Sequence, residues 1–329
     1  MKVLVSGGAG YIGSHAAKLL SGSGHDVVIL DDLRAGHAQA ALGAPLIRAA
    51  THETDRIAEV MREQAIEAVM HFAAHCYVGE SVREPLKYYQ NNVGGTLALA
   101  EACLRSGVEI FVLSSTAATY GQPVEQPITE AAPRNPVNPY GRTKAICEDL
   151  LADLAAAGSF RPVFLRYFNA AGADPDGELG EDHTPETHLI PNAVLAALGR
   201  NDGLEIFGND YDTRDGTCVR DYVHVNDLAA AHLKAIDFAK AGGACRAFNL
   251  GNGNGFTVNE VVQMVRDVAG RDFPVEYAPR RPGDPATLVA SSERARRELG
   301  WRPRFDELRV IVETAFNWIE AHPDGYVEA

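Results

Sequence analysis

Tyr140 and Lys144, in the run Pro139-Tyr140-Gly141-Arg142-Thr143-Lys144, have the residue types and spacing to move a proton. Helical i, i+4 spacing sets phenol and ammonium on one face. A neighbouring positive charge favours phenolate, so Lys144 is expected to lower the tyrosine pKa towards neutrality. YxxxK recurs by chance, and a surface tyrosine beside a helical lysine is the ordinary explanation. The hydroxyl-rich run upstream, Ser114-Ser115-Thr116-Ala117-Ala118-Thr119-Tyr120-Gly121, raises the pair above that. It brings Thr116, or a neighbour, within reach of a substrate hydroxyl.

A second chemistry lies at the start of the chain. Gly7-Gly8-Ala9-Gly10-Tyr11-Ile12-Gly13 follows a strand-like run and opens a helical pattern. Glycine there allows a tight turn, close backbone approach to a pyrophosphate and close helix–strand packing, with free N–H groups facing the phosphates. Asp31 ends the next apolar run, where a carboxylate accepts ribose hydroxyls and repels a 2′-phosphate. NAD is therefore expected rather than NADP, with Arg34 read as a solvated loop residue. The positive nicotinamide of the oxidised cofactor is expected to join Lys144 in lowering the tyrosine pKa.

The elements that must hold these groups follow from hydrophobic patterning. Short apolar runs at 3–6, 27–30, 68–72 and 110–113 alternate with helical patterns at 12–20, 57–64 and 97–105. A further helical run, 145–154, follows the tyrosine–lysine pair. This pattern predicts an α/β fold with a doubly wound parallel (Rossmann) sheet, the ligand crevice lying at the carboxyl ends of its strands. After residue 168 the chain becomes rich in Gly, Asp and Pro, with helical patterns at 193–198, 226–240, 258–269 and 305–320. We read residues 1–168 as a dinucleotide-binding domain, to which a segment near 220–250 returns. Residues 169–329 form mainly a smaller α/β substrate domain.

Composition narrows the function classes. The 329 residues are 46% hydrophobic and 22% charged, enough for a sizeable core, and the formal charge of −14 disfavours a nucleic-acid partner. Five scattered cysteines, Cys76, Cys103, Cys147, Cys218 and Cys245, lack CxxC spacing and suit a reducing compartment. No run offers the ~18 continuous apolar residues of a membrane span. A cytoplasmic protein is expected. No metal site is expected either: His183 and His188 look isolated, and His71 reads as structural.

With these motifs the chain resembles the extended short-chain dehydrogenase/reductases, and among them the NAD-dependent nucleotide-sugar epimerases of the UDP-glucose 4-epimerase family. The resemblance runs nearly end to end. It includes His71-Phe72-Ala73-Ala74, Val78-Gly79-Glu80-Ser81, Asn91-Asn92-Val93, Leu165-Arg166-Tyr167-Phe168-Asn169, Ile206-Phe207-Gly208-Asn209-Asp210-Tyr211, Arg220-Asp221-Tyr222-Val223-His224-Val225 and Arg280-Arg281-Pro282-Gly283-Asp284. The Gly loop and YxxxK mark only the superfamily, whereas the Phe-Gly-Asn-Asp-Tyr and Arg-Asp-Tyr-x-His-Val blocks are far more specific.

The resemblance implies roles. Tyr140 would be the acid/base, Lys144 its electrostatic partner and ribose ligand, and Thr116 the hydroxyl assisting at the sugar O4. Gly7, Gly10, Tyr11, Ile12, Gly13, Asp31 and Asp32 would hold adenosine and pyrophosphate. Phe72, Ala73, Ala74 and Asn91 would line the cofactor further along, with Tyr167 and Phe168 near the nicotinamide. Asn169, His188, Leu189, Phe207, Arg220, Arg281 and Asp284 would form the nucleotide-sugar pocket, the arginines supplying positive charge for a diphosphate. The implied reaction is C4 epimerisation of a UDP-hexose through a transient 4-keto sugar, with NAD permanently held. A homodimer through helices near 90–105 and 145–157 is implied as well.

Three positions depart from the family pattern. Ala50-Thr51-His52 stands where an acid–hydrophobic pair often reaches the adenine, Cys76 replaces a lysine, and Leu288 aligns with a tyrosine gate beside the sugar. UDP-pentoses and UDP-N-acetylhexosamines are alternative substrates, and a non-catalytic NAD-sensing module is the alternative of another class. Ala117-Ala118, where a 4,6-dehydratase would carry acids, disfavours elimination chemistry.

Overall fold

Seven parallel strands make the main sheet of the computed structural model, which describes residues 1–158, 160–281 and 284–327. Pro282 and Gly283 of the Arg-Arg-Pro-Gly-Asp block lie outside the described residues. The strands are β1 (Lys2–Ser6), β2 (Asp26–Asp31), β3 (Leu46–Arg48), β4 (Ala68–His71), β5 (Ile110–Thr116), β6 (Arg161–Tyr167) and β7 (Arg246–Leu250). Their spatial order is β7-β6-β5-β4-β1-β2-β3. Both faces are covered, which is why the strands read as unbroken apolar runs. Along β1, Val3 and Val5 pack with Ala16 and Leu20 and with Leu228 and Ala235 of helix Val225–Lys240. Leu4 turns to the opposite face, with Ile57, Leu99, Cys103 and Leu151.

The order reverses between β1 and β4, so the loops leaving these two strands diverge and open a crevice. The Gly7–Gly13 loop leaves β1 and Phe72-Ala73-Ala74 leaves β4. Residues 114–116 close β5 on the next position along the sheet.

A second apolar core gathers helices Leu189–Ala197, Val258–Ala269 and Leu308–Ala321 around Leu204, Ile206 and Phe273. A Thr257–Glu260 capping box starts the middle helix. Val219–Arg220 runs between Phe256–Thr257 and Thr287–Leu288 in a three-stranded sheet, and Leu204–Phe207 pairs in parallel with Val275–Ala278. Two buried aspartates tie these segments to the main sheet. Asp221 accepts the N–H groups of Asn252, Gly253 and Ala290 at 2.7, 3.0 and 3.0 Å. Asp227 accepts those of Arg304 and Phe305 at 2.8 and 2.9 Å.

Helix Pro139–Ala157 begins six residues before the expected 145–154 run. Asn138 caps it by accepting the Gly141 N–H at 2.8 Å, and Pro139 occupies the first turn, where its missing N–H costs nothing. Tyr140 and Lys144 are consequently on one regular helix.

That helix is fastened to the sheet by Glu148, which is 2% exposed. Its carboxylate accepts the Ser115 hydroxyl at 2.5 Å and the Arg166 Nε at 2.9 Å, with Arg134 at 3.3 Å. Arg166 also donates to the Tyr120 hydroxyl at 2.9 Å, which donates to Asn249 Oδ1 of β7 at 2.6 Å. Removing one member of a buried charge pair strands the other in a dry interior. Glu148→Ala is therefore expected to lose about 3–5 kcal/mol of stability in urea unfolding. A loss below about 1 kcal/mol, typical of exposed pairs, would show that the clamp carries little.

Candidate active site

The Gly loop has the shape a dinucleotide requires. Gly7 has φ +75°, and a Cβ there would stand 2.5 Å from the Ala73 backbone nitrogen, so no other residue lets the loops after β1 and β4 approach so closely. A Cβ on Gly13 would drive into the Gly7 carbonyl oxygen. Helix Tyr11–Gly22 starts at Gly10 with no side-chain cap, leaving its first N–H groups directed at whatever occupies the crevice. The Tyr11 hydroxyl instead points across to the second unit, donating to the Gly172 carbonyl at 2.6 Å.

Asp31 ends β2 with its carboxylate held by the Ala9 N–H at 3.0 Å and the Leu33 N–H at 2.9 Å. Burial raises its pKa and these two bonds pull the other way. Asp32 accepts the Arg34 Nε at 2.7 Å, and Arg34 also donates to Asn91 Oδ1 at 3.0 Å. The guanidinium is thus committed to protein partners rather than open to a 2′-phosphate. A cavity of about 600 Å³ opens beside Asp32, Arg34, Ala49, Ala50, His52 and Asn91. The Ala50-Thr51-His52 departure forms part of its wall.

Tyr140 is half-buried in the first turn of helix Pro139–Ala157. Burial holds its phenol far above the ordinary range, Cys76 and Tyr167 add to that, and a hydrogen bond with the Thr116 side chain works against it. The Lys144 ammonium is itself buried, which lowers its pKa, and it donates to the Ser114 carbonyl at 2.8 Å. Among the protein's own groups burial is the largest influence on the phenol.

Of the remaining cofactor candidates, Phe72 follows β4, while Tyr167 and Phe168 lie at the end of β6. Tyr167 ends β6 and is hydrogen bonded to Ser114. Phe72 stacks at a tilt on His232 with centroids 4.5 Å apart, and Phe168 packs with Ala117, Tyr120 and Ile128. His71 is a structural group: it contacts the Ser6 and Thr96 hydroxyls at 3.3 and 3.1 Å, and burial drops its pKa to about 3.

The nucleotide-sugar candidates lie on the second unit and its junction. Arg220 Nη1 donates to the Val219 and Pro285 carbonyls, both at 2.9 Å, and Nη2 reaches Asp284 at 3.5 Å. Arg281 lies over the Phe207 ring at 3.9 Å, and Leu288 pairs in register with Arg220. Asn169 donates to the Asp221 carbonyl at 3.0 Å, and Leu189 opens its helix. The His188 ring turns to Glu181, 2.5 Å away.

Two groups went unread in the sequence. Glu148 stands one further turn along the Tyr140–Lys144 face, so continuing the i, i+4 spacing finds it. Asn92 braces the site by accepting the His75 N–H at 2.9 Å and donating to Thr143 at 3.2 Å. It lies where the helix widens into i→i+5 turns over Tyr89–Gly94, an irregularity that no local pattern announces.

A glycine cradle at a strand-order reversal, with a tyrosine–lysine pair on the helix anchored at the end of β5, defines a dinucleotide-dependent enzyme of the short-chain dehydrogenase/reductase type. The chain belongs to the NAD dependent epimerase/dehydratase family, whose model matches residues 3–251. It is 49% identical to a UDP-glucose 4-epimerase of Halalkalibacterium halodurans, over 99% of this chain and 98% of the relative. The structure of UDP-glucose 4-epimerase from Brucella ovis in complex with NAD superposes with a TM-score of 0.94 at 50% identity, covering 96% and 97% of the two chains. That from Bifidobacterium longum, in complex with NAD+ and UDP, gives 0.94 at 36% identity, covering 99% and 100%.

Gly13→Ala is expected to purify with little bound dinucleotide, measured by absorbance of material released on denaturation. It should also lose on the order of 1–3 kcal/mol through overpacking. Full cofactor content in that variant would mean the loop does not approach its ligand as closely as drawn here.

Proposed function

We propose that this chain catalyses the reversible C4 epimerisation of a UDP-hexose, interconverting UDP-glucose and UDP-galactose with tightly held NAD. The observation that carries the reading is the half-buried Tyr140, one helical turn from the buried Lys144, whose ammonium donates to the Ser114 carbonyl at 2.8 Å and so holds this helix against the end of β5, where Thr116 lies. Bound NAD supplies a hydride acceptor and donor at the sugar C4 and, when oxidised, a positive ring that favours phenolate.

The chain's own residues do the rest. Tyr140 takes the proton from the sugar O4 and later returns it, so its net state is unchanged after each cycle. Thr116 holds that oxygen by hydrogen bonding, and Lys144 contributes positive charge beside the phenol and a ribose contact. Gly7, Gly10, Tyr11, Ile12 and Gly13 receive the pyrophosphate, while Asp31 and Asp32 receive the adenosine ribose. Phe72, Ala73, Ala74, Asn91, Tyr167 and Phe168 line the path to the nicotinamide. Asn169, His188, Leu189, Phe207, Arg220, Arg281 and Asp284 grip the nucleotide, so that binding energy from a non-reacting part retains the sugar while its free end turns.

The protein is further read as a cytoplasmic homodimer. All five cysteines are free thiols, which supports a reducing compartment. Among the described residues no helix is long and apolar enough to cross a membrane. Val82, Leu86, Leu97 and Leu104 are half or more exposed on neighbouring helices, an apolar face suited to a second copy.

Purified protein given UDP-galactose without added cofactor is expected to form UDP-glucose, and parallel incubations with UDP-N-acetylgalactosamine and UDP-arabinose test the other sugars. Tyr140→Phe should lower turnover by about 10²–10⁴-fold, the usual worth of a general acid–base, while UDP binding by calorimetry stays intact. Unimpaired turnover in that variant, or conversion only with added NAD(P)H and net oxidation, would refute the proposal.

A further inference from the structure

Four side chains outside the proton-transfer site converge on one point. The loop 181–188 carries Glu181, His183, Glu186 and His188, and one ligand atom from each lies within 4.8 Å of every other. His183 Nδ1 is 3.1 Å from Glu181 and 3.7 Å from Glu186. His188 Nδ1 is 2.5 Å from the same Glu181 oxygen and 3.4 Å from Glu186. These are not two separate ion pairs, because both imidazoles present one nitrogen to both carboxylates. His183 Nδ1 is buried and its approach to Glu181 lacks hydrogen-bond geometry, so among the described residues it makes no hydrogen bond.

We infer that this cluster is a four-ligand site for a divalent transition metal of the Zn²⁺ class. Zinc bonds to imidazole nitrogen and carboxylate oxygen are about 2.0–2.2 Å, which places ligand atoms of a tetrahedron about 3.3–3.6 Å apart. The imidazole–carboxylate separations run from 2.5 to 3.7 Å, with His183 and His188 nearest different oxygens of Glu186, so an ion entering between them opens the His188–Glu181 contact by about 1 Å and leaves the others within a few tenths of that edge. Two neutral imidazoles and two carboxylates balance one divalent ion, and imidazole ligands select against magnesium and calcium. With four protein ligands the site is closed, so the ion's work is structural. It would fasten a loop whose His183 ring meets the edges of Tyr11 and Tyr77 and which leads directly into Leu189.

A second acidic group nearby shows the contrast. Asp174, Asp176 and Glu178 also lie close together, but the Lys18 ammonium sits among them at 2.6, 3.2 and 2.6 Å. That cluster already holds its cation.

The test uses the full chain, freed of metal by chelator and titrated with zinc chloride by calorimetry and with cobalt(II) by visible absorption. One equivalent per chain is expected, with the intense visible bands of tetrahedral cobalt that zinc then abolishes. Losing a second-shell partner of a metal ligand costs about 10–100-fold in affinity, so His183→Ala and Glu186→Gln, which remove ligands, should cost at least as much. Asp176→Asn should bind zinc as the parent does. No saturable uptake, a weak octahedral cobalt spectrum, or undiminished binding in both ligand variants would overturn the inference. Should those variants not fold, the stoichiometry and cobalt spectrum of the unaltered protein decide it.

Discussion

The attachment of one helix to one strand governs this molecule. Helix Pro139–Ala157 meets the end of β5 through the Lys144 ammonium on the Ser114 carbonyl and through Glu148 between Ser115 and Arg166. Both contacts are buried, so each is worth more than its surface equivalent and each would be costly to break. They fix the spacing between the Tyr140 phenol, which rides on the helix, and Thr116, which ends the strand. The lysine one helical turn from the phenol is thus also the side chain that anchors the helix to the strand.

Desolvation sets the character of the site. Tyr140, Tyr167, Lys144 and His71 all lie in surroundings where burial is the largest influence on their protonation. Neutral forms are favoured throughout, so a charge brought into the crevice acts with little screening from water. On the second unit two arginines are held by their neighbours rather than hanging free, Arg281 over Phe207 and Arg220 against the Pro285 carbonyl.

Much of this was legible in the order of residues. The runs that became β1, β2, β4 and β5 stood out because strands buried on both faces carry no alternating polar residues. The Gly loop announced itself by context, since steric crowding at Gly7 and Gly13 leaves few other choices. Strands β3, β6 and β7 were harder. The first is only three residues long, β6 contains Pro162 and two arginines, and β7 carries Arg246 and Asn249, whose polar ends serve buried networks. His183 and His188 looked isolated because their carboxylate neighbours interleave with them on an irregular loop, where no helical or strand period relates one side chain to another. Burial around Tyr140 was not legible for a related reason: spacing reports who stands beside whom, but not how dry the place is.

The strand β7 has a further consequence for how the chain comes into being. It completes the edge of the main sheet beside β6, yet it is encoded after the segments that build most of the second unit's small strands and its first helix. During synthesis the flank of β6 therefore stays without its sheet neighbour until residues near 250 leave the ribosome.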